Sequence, residues 1–397
     1  MASIQKRPAR TPGGSASYRV RFRDPAGAQR SKTFKTKAKA TVFAATVEAD
    51  KARGTYVDHS LGRMTLAEYA DQWLAIQTFS ESTREQTESR VRRHILPILG
   101  GTPLADVRAS QVQSWIRGKQ QQLAPRTVRV LFATLSAILA AAVDDERIPK
   151  NPCSAGSLKL PRVEERTVVP WTVEQVAAVR VALPERYRLL IDLTTGLGLR
   201  QGEVFGLAVD DVDFLRHTVT VQRQVKIVGS RLVFDLPKNQ KVREIPLPDA
   251  VATRMAASLQ VFPERTVVLP WETPAGAEVS GRLFLTSRET KPLNRNYVNS
   301  RIWKPALRSA GVDAVRANAM HSGRHFYASA QLEAGTSIRA LAAYLGHSDP
   351  GFTLRTYTHL MPEAEDKARR AIDEVFLRLE SVETGQLRGP DVAQDSP

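Results

Sequence analysis

Near the front of the chain, Tyr18, Val20 and Phe22 alternate with Arg19, Arg21 and Arg23. A period of two predicts a β-strand with one apolar face and one face of three guanidinium groups. Asp24-Pro25-Ala26-Gly27 supplies a turn, and Arg30 to Thr36 reads as the returning strand. A helix from about Lys37 to Arg53 can cover the apolar face through Val42, Phe43 and Val47. Residues 1–60 are therefore expected to form a small α/β domain, a three-stranded sheet plus a helix.

From about Arg63 the period changes to 3.6. Leu66, Tyr69, Ala70, Trp73 and Leu74 form one helical stripe. Ser82 with Glu85 reads as a capping box opening a helix toward Val91 and Ile95. Ser110 opens another, with Val112, Trp115 and Ile116. Pro125 suits a first helical position, and Val128, Leu131, Phe132, Leu135, Ile138 and Leu139 follow at helical spacing. Four amphipathic helices with short connections predict an all-α bundle over residues 63–152, the stripes being its core. The longest apolar stretch, Leu131 to Val143, is too short to span a bilayer and is broken by Thr134 and Ser136. No membrane partner is expected.

Pro, Ser, Gly and charge dominate from Asn151 to Arg166, which predicts an exposed linker at 153–168. Thr172 and Gln175 cap a new helix. Beyond it, strands cluster at Thr218–Val225, Leu232–Phe234 and Val242–Ile245 among helices, so residues 169–380 read as an α+β domain. Residues 381–397 carry few large apolar groups and read as a mobile tail. The chain is thus expected to be multidomain.

Charge sharpens this picture. The 397 residues carry 57 Lys and Arg against 41 Asp and Glu, a formal charge of +16, of which +10 lies in residues 1–53. Such a surplus favours a polyanionic partner, because each phosphate contact releases condensed counterions. A sheet with an arginine face can lie in a DNA groove; the alternative is a solvated edge that deters aggregation. On the polar faces of the helical segment, Arg90, Arg92, Arg93, Arg126 and Arg129 are candidate DNA contacts. Cys153 is the only cysteine, so no intrachain disulfide can form and a reducing, cytoplasmic compartment is expected. The N-terminus shows no apolar signal-peptide core.

Four stretches carry candidate chemistry. In Thr195-Gly196-Leu197-Gly198-Leu199-Arg200-Gln201-Gly202-Glu203 the glycines break an apolar helix and set Arg200 at the mouth of the next one. In Pro237-Lys238-Asn239-Gln240-Lys241-Val242-Arg243-Glu244-Ile245-Pro246, Lys238 is expected at a hairpin tip, where a flexible ammonium can reach a cleft. His321-Ser322-Gly323-Arg324 puts an imidazole and a guanidinium on one helical face. His321 and His325, at i and i+4, share a metal-compatible spacing, but no third ligand and no HExxH glutamate accompany them, so no metal is expected. Leu345-Gly346-His347 is followed ten residues later by Tyr357.

In that order these stretches resemble the signature of the tyrosine recombinase, or phage integrase, family: Arg200 with the acidic Glu203, the lysine Lys238, the His-x-x-Arg pair His321 and Arg324, then His347 and the tyrosine Tyr357. The match covers roughly residues 165–380. Two departures stand out. Ser322-Gly323 replaces the usual Asp-Leu, and an extra Gly-Leu precedes Arg200. By layout, the two upstream segments resemble the arm-binding and core-binding domains of larger phage integrases.

The resemblance implies a site-specific DNA recombinase that cuts and rejoins through a 3′-phosphotyrosine intermediate. Arg200 and Arg324 would give bidentate hydrogen bonds to phosphate oxygens, which a lysine cannot reproduce. His347 would add a donor, and Lys238 would protonate the leaving 5′ oxygen. Tyr357 would be the nucleophile, with His321 assisting its deprotonation. The energy of the broken bond is stored in the protein link, so neither ATP nor metal is needed and no cofactor is expected. The partners implied are double-stranded DNA at core and arm sites, a homotetramer on that DNA, and a host bending or directionality factor, in a bacterial cytoplasm at the nucleoid. Residues 362–380 would dock on a neighbouring subunit. A chromosome dimer-resolving recombinase, a tyrosine-based topoisomerase and a non-catalytic DNA-binding accessory protein are the alternatives.

Overall fold

A computed structural model describes residues 2–8, 15–23, 27, 29–52, 61–164, 168–357, 369 and 372–380. The chain divides into two compact units, residues 1–165 and 166–397. At the front, β1 (Ser3–Arg7), β2 (Ser17–Arg23) and β3 (Gln29–Phe34) form an antiparallel sheet in the order β1-β2-β3. Val20 pairs with Ile4 on one side and Lys32 on the other. Val20 and Phe22 are buried while Arg21 and Arg23 are exposed, which is the face separation the alternation predicts. Across the apolar face lies α1 (Lys37–Ala52), packing through Ala40, Phe43, Ala44 and Val47, the i, i+3, i+4, i+7 set. Phe43 meets Phe22 edge-on at 5.9 Å and Phe34 at 5.0 Å. Val42, expected in this contact, is instead 66% exposed. Five positions from Val47 amount to roughly 140° around a helix, which takes it off the stripe. Asp24, Pro25 and Ala26 of the expected turn lie outside the described residues.

Next come α2 (Leu66–Ile76) and α3 (Glu81–Arg90), the latter running through a wide π turn, Val91–Ile95, into α4 (Leu96–Leu99). Then α5 (Ala109–Gln120) and α6 (Pro125–Asp144) complete the bundle. Every residue of the Leu66–Leu74 stripe is buried, and Trp115 adds its ring and donates Nε1–H to the carbonyl of His94 at 2.9 Å. The capping box is Thr65 with Glu68. Ser82 and Glu85 do not form one: α3 begins earlier, with Ser80 as its first cap residue, so both already sit within helical turns. Ser110 likewise lies inside α5, whose cap is Arg108.

Helix α6 is 20 residues long, and by length and composition alone it could cross a bilayer; the sequence pattern had pointed only to the shorter Leu131–Val143. Its face of Val128, Leu131, Leu135, Ile138, Leu139 and Ala142 is the seam of the bundle core. The expected exposed linker also reads differently. Asn151 donates to Ser136 and accepts from the Cys153 N–H, Cys153 is buried, and Leu158 and Leu160 pack against the bundle. Lys159 and Gln113 exchange two hydrogen bonds of 2.7 and 3.2 Å. The alternate apolar positions 158 and 160 bind this stretch to the helices despite its polar composition.

The second unit opens with α7 (Val173–Ala182), capped reciprocally by Thr172 and Gln175, then α8 (Leu189–Gly196) and α9 (Gln201–Gly206). Strands β4 (Val212–Asp213), β5 (Thr218–Val221), β6 (Gln224–Val228), β7 (Arg231–Asp235) and β8 (Arg243–Pro246) follow. They form two sheets, β4-β5-β8 and the hairpin β6-β7, so the strand expected over Thr218–Val225 breaks at Gln222-Arg223. After α10 (Asp249–Val261) comes a second hairpin, β9 (Arg265–Pro270) with β10 (Glu278–Leu283), which the sequence pattern did not reveal. The chain then runs through α11 (Arg295–Tyr297), a π turn and α12 (Lys304–Ser309) to the three helices that matter most: α13 (His321–Glu333), α14 (Ile338–Leu345) and α15 (Pro350–Tyr357). Residues 372–380 are helical. Residues 358–368 and the tail 381–397 lie outside the described residues, as does much of the segment expected to dock on a neighbour.

Helix α13 is seated against α8. A Cβ at Gly323 would sit 2.5 Å from Thr194 Oγ1 and 2.8 Å from Thr194 Cβ. Glycine in the middle of the His-x-x-Arg stretch is therefore a packing requirement, because it lets the helix carrying His321 and Arg324 approach the one leading to Arg200.

Candidate active site

Gly198 takes φ +63°, and a side chain there would collide with the Tyr327 ring 2.5 Å away. This turn delivers Arg200 to the first turn of α9, where it serves as the cap residue. Its backbone N–H donates to Glu203 Oε2 at 2.9 Å and its Nη1 to Glu203 Oε1 at 2.9 Å, while Nη2 reaches the Gly346 carbonyl at 3.3 Å. Glu203 is wholly buried and also takes a two-pronged ion pair from Arg243, at 3.0 and 2.6 Å. Arg243 in turn donates Nε–H to the Tyr344 carbonyl at 2.7 Å. Burial works to raise the Glu203 carboxyl, but the hydrogen bonds and charges of Arg243, with Arg200 and Arg324 behind, outweigh it and hold the group at about 2.

From α13, Arg324 enters the same space. It is 1% exposed. Nη1 donates to the Gly198 carbonyl at 2.7 Å, and Nη2 donates to the Leu345 carbonyl and lies 3.1 Å from His347 Nε2. Burial and the neighbouring Arg200 bring it down to about 9, so it stays cationic at neutral pH. Gly346, at φ +65°, ends α14 in the left-handed region and turns His347 back into the site. A guanidinium can only donate, so His347 Nε2 must accept; Nδ1 then carries the hydrogen and donates to Thr353 Oγ1 at 2.7 Å.

Tyr357 ends α15 and is 1% exposed. Its hydroxyl lies 2.8 Å from His325 Nδ1. His321, which the sequence reading set beside the tyrosine, instead packs edge-on against His325 with centroids 4.6 Å apart. Burial pushes the phenol up to about 12, more than the cations Arg324 and Arg200 lower it. Burial, then neighbouring cations and rings, takes His321 down to about 3, His325 to about 4 and His347 to about 3, so all three are neutral imidazoles at pH 7.

Arg200 is thus bonded to Glu203 and Arg324 to His347, both guanidiniums reach the Leu345-Gly346 carbonyls, and Tyr357, His325 and His321 form a separate contact series near enough for Arg324 and Arg200 to act on the phenol. Lys238 is not at a hairpin tip. It lies on an exposed 3-10 turn, Lys238–Gln240, in the connection from β7 to β8, strands of different sheets. Its charge still reaches His347 and helps depress that imidazole. The sequence reading missed Arg243, His325 and Thr353; the only hint was His325 at i+4 from His321. Among the described residues no cluster of three or more His, Cys, Asp and Glu side chains could hold a metal.

The candidate DNA contacts separate in the same way. On the front sheet, Arg19, Arg21 and Arg23 share a face with Gln5, Ser31 and Thr33, to which they are linked by register. In the bundle, Arg92 is exposed with a 3.2 Å ion pair to Asp71, Arg93 and Arg126 are exposed, and Arg90 rests against Gln86 at 3.3 Å. Arg129 is tied to the Pro161 carbonyl at 2.9 Å.

Residues 172–364 match the phage integrase family and residues 65–120 its N-terminal SAM-like domain. The chain is 27% identical over 309 residues to the integrase of Mycobacterium phage L5, covering 77% of each protein. It is 26% identical over 295 residues to a tyrosine recombinase XerC-like protein of Caldanaerobacter subterraneus, covering 70% of this chain and 74% of that one. The fold is shared with the Tn1549 transposon integrase solved with a circular intermediate DNA, at 23% identity and TM-score 0.65 over 79% of this chain and 99% of that one. It is shared also with a lambda integrase tetramer solved on a Holliday junction, at 16% identity and TM-score 0.57 over 86% and 92%. The chain belongs to the phage integrase family of tyrosine recombinases.

Proposed function

We propose that this site-specific recombinase integrates or excises a phage or other mobile element by cutting and rejoining double-stranded DNA through a 3′-phosphotyrosine link at Tyr357. The observation that carries this reading is the convergence of two buried or half-buried guanidiniums, Arg200 and Arg324, with His347 in the region where Tyr357 lies. A phosphodiester in that space would be met by the guanidinium hydrogens that the carbonyls of Gly198, Leu345 and Gly346 leave over. Planar guanidiniums match paired phosphate oxygens and neutralise the charge that grows on them as phosphorus becomes five-coordinate. An arriving anion also favours a second proton on His347, which then donates as well.

In the cutting step the Tyr357 Oη–P bond forms and the P–O5′ bond breaks. The departing 5′ oxygen takes a proton, for which Lys238, a flexible ammonium on an exposed turn, is the candidate. Rejoining reverses each bond change with a 5′-hydroxyl from another duplex. Exchange between two duplexes needs four such sites, hence a homotetramer on DNA at core sites. The arginine face of the front sheet would hold separate arm sites, with host bending or directionality factors setting the outcome, in the cytoplasm of a bacterial host at its nucleoid.

The test is a nicked substrate that loses its 5′-hydroxyl fragment and so traps the adduct. The native chain should accumulate covalent protein–DNA complex and Tyr357→Phe none. Adduct formation by Tyr357→Phe would overturn the assignment.

A further inference from the structure

A buried phenol is a poor nucleophile until its proton has somewhere to go. Three imidazoles lie in or beside the site, and the structure separates them by what each one touches. His347 is engaged on both nitrogens, by Arg324 and by Thr353. His321 faces the ring of His325 rather than the phenol. His325 Nδ1 is 2.8 Å from Tyr357 Oη, within direct proton-transfer reach. We propose that His325 takes the Tyr357 proton as the oxygen attacks phosphorus and returns it when the phosphotyrosine is resolved.

The inference rests on the phosphotyrosine reading above and adds a catalytic residue to it. In the forward step Oη–H breaks as Oη–P forms, the hydrogen passes to Nδ1, and His325 becomes an imidazolium. In the reverse step Oη leaves phosphorus and recovers that hydrogen, so the imidazole is neutral again at the end of each cycle. No oxidant or external base enters the balance. The surroundings suit the role. Burial and Arg324 keep His325 neutral at rest, at about 4, and the tautomer with its hydrogen on Nε2 presents the Nδ1 lone pair to the phenol. The ring is held on one side by the edge-on contact with His321 and on the other by Tyr357, 5.7 Å between centroids. The negative charge of a bound phosphate, placed among these groups, would stabilise the imidazolium when it forms.

Two reactions separate this role from others. The first is adduct formation on the nicked substrate, which needs the phenol deprotonated. The second is joining of a 5′-hydroxyl strand onto DNA ending in a 3′-phospho-(4-nitrophenyl) ester, in a Tyr357→Ala background that leaves room for the ester. Nitrophenolate departs without a proton, so this reaction uses the phosphate clamp but not the proton shuttle. His325→Ala should slow adduct formation by about 100-fold or more while changing nitrophenyl joining by no more than a few-fold. His325→Gln, which keeps an amide at the same place but cannot hold the proton, should show the same split and serves if the alanine variant does not fold. Adduct formation at the native rate in either folded variant overturns the proposal. So does an equal fall in both reactions, which would assign His325 to phosphate placement or packing. Adduct formed by Tyr357→Phe would instead sink the phosphotyrosine reading itself.

Discussion

Glu203→Gln is the most searching perturbation of the arginine cluster, because one carboxylate orients two guanidiniums. In the native chain the carboxyl is held at about 2, against an ordinary value of 4.5. That difference corresponds to about 3 kcal/mol of stability at neutral pH. The side chain is fully buried, at 0% exposure beside 4% for Arg243, so little solvent screening applies. Removing one partner of a buried pair typically costs ~3–5 kcal/mol, since the remaining charge is left without compensation. The two routes agree on roughly 3 kcal/mol. Because the folded carboxyl titrates below the unfolded one, this stability is present above pH 4.5 and is lost as pH falls toward about 2. Calorimetric unfolding of native and Glu203→Gln chains should therefore show a gap at pH 7 that narrows below about pH 4.5 and closes only as pH falls below about 2. The transition of the second unit can be followed by hydrogen exchange in α9. Arg243→Met combined with Glu203→Gln should recover part of the loss, as a double-mutant cycle measures. A gap below 1 kcal/mol at pH 7, or one that does not narrow with acid, would refute the argument that the guanidiniums overcome the burial penalty.

Further outcomes follow from single contacts. Gly323→Ala drives a Cβ to 2.5 Å from Thr194 Oγ1 and should lower stability by ~1–3 kcal/mol, together with the cleavage rate; an unchanged melting temperature would show that α13 and α8 have room to separate. Thr353→Val removes the acceptor 2.7 Å from His347 Nδ1 at nearly constant volume. It should slow cleavage without weakening DNA binding, and equal cleavage would mean that Thr353 does not orient the imidazole. Replacing Arg19, Arg21 and Arg23 together by alanine should reduce the slope of log affinity against log salt by about 2.7 for duplex DNA, if each contacts one phosphate. A titration with an unaltered slope would leave that face solvated and unused.

Chemistry was more legible in the sequence than geometry. A phosphate clamp demands arginine, and a nucleophile demands tyrosine, so Arg200, Arg324 and Tyr357 announce themselves by type and order. His325 and Arg243 carry no such signal. Their partners lie 32 and 40 residues away, and only the packing of α13, α15, α9 and β8 brings them together. The helical stripes at Leu66–Leu74 and Val128–Leu139 were readable because a 3.6 period has one buried face. Ser82 was misread because Ser80, Ser82 and Thr83 all offer a cap, and the start of the helix is decided by packing rather than by the hydroxyl. The β9-β10 hairpin escaped notice because Thr266-Val267-Val268-Leu269 lacks clean alternation and the six-residue strand begins two residues after Pro263. The run from 151 to 161 has the composition of a tether, yet two leucines and an asparagine hold it down.

The Gly198 and Leu345 carbonyls that grip Arg324 come from chain segments nearly 150 residues apart, and they fix the angle of the guanidinium plane before any DNA is present. Rotational freedom of that side chain is thus already spent during folding, leaving little to freeze when a strand arrives. Loosening either carbonyl's loop should consequently show up in turnover while footprints on DNA stay as they were, so binding assays alone would overlook damage of this kind.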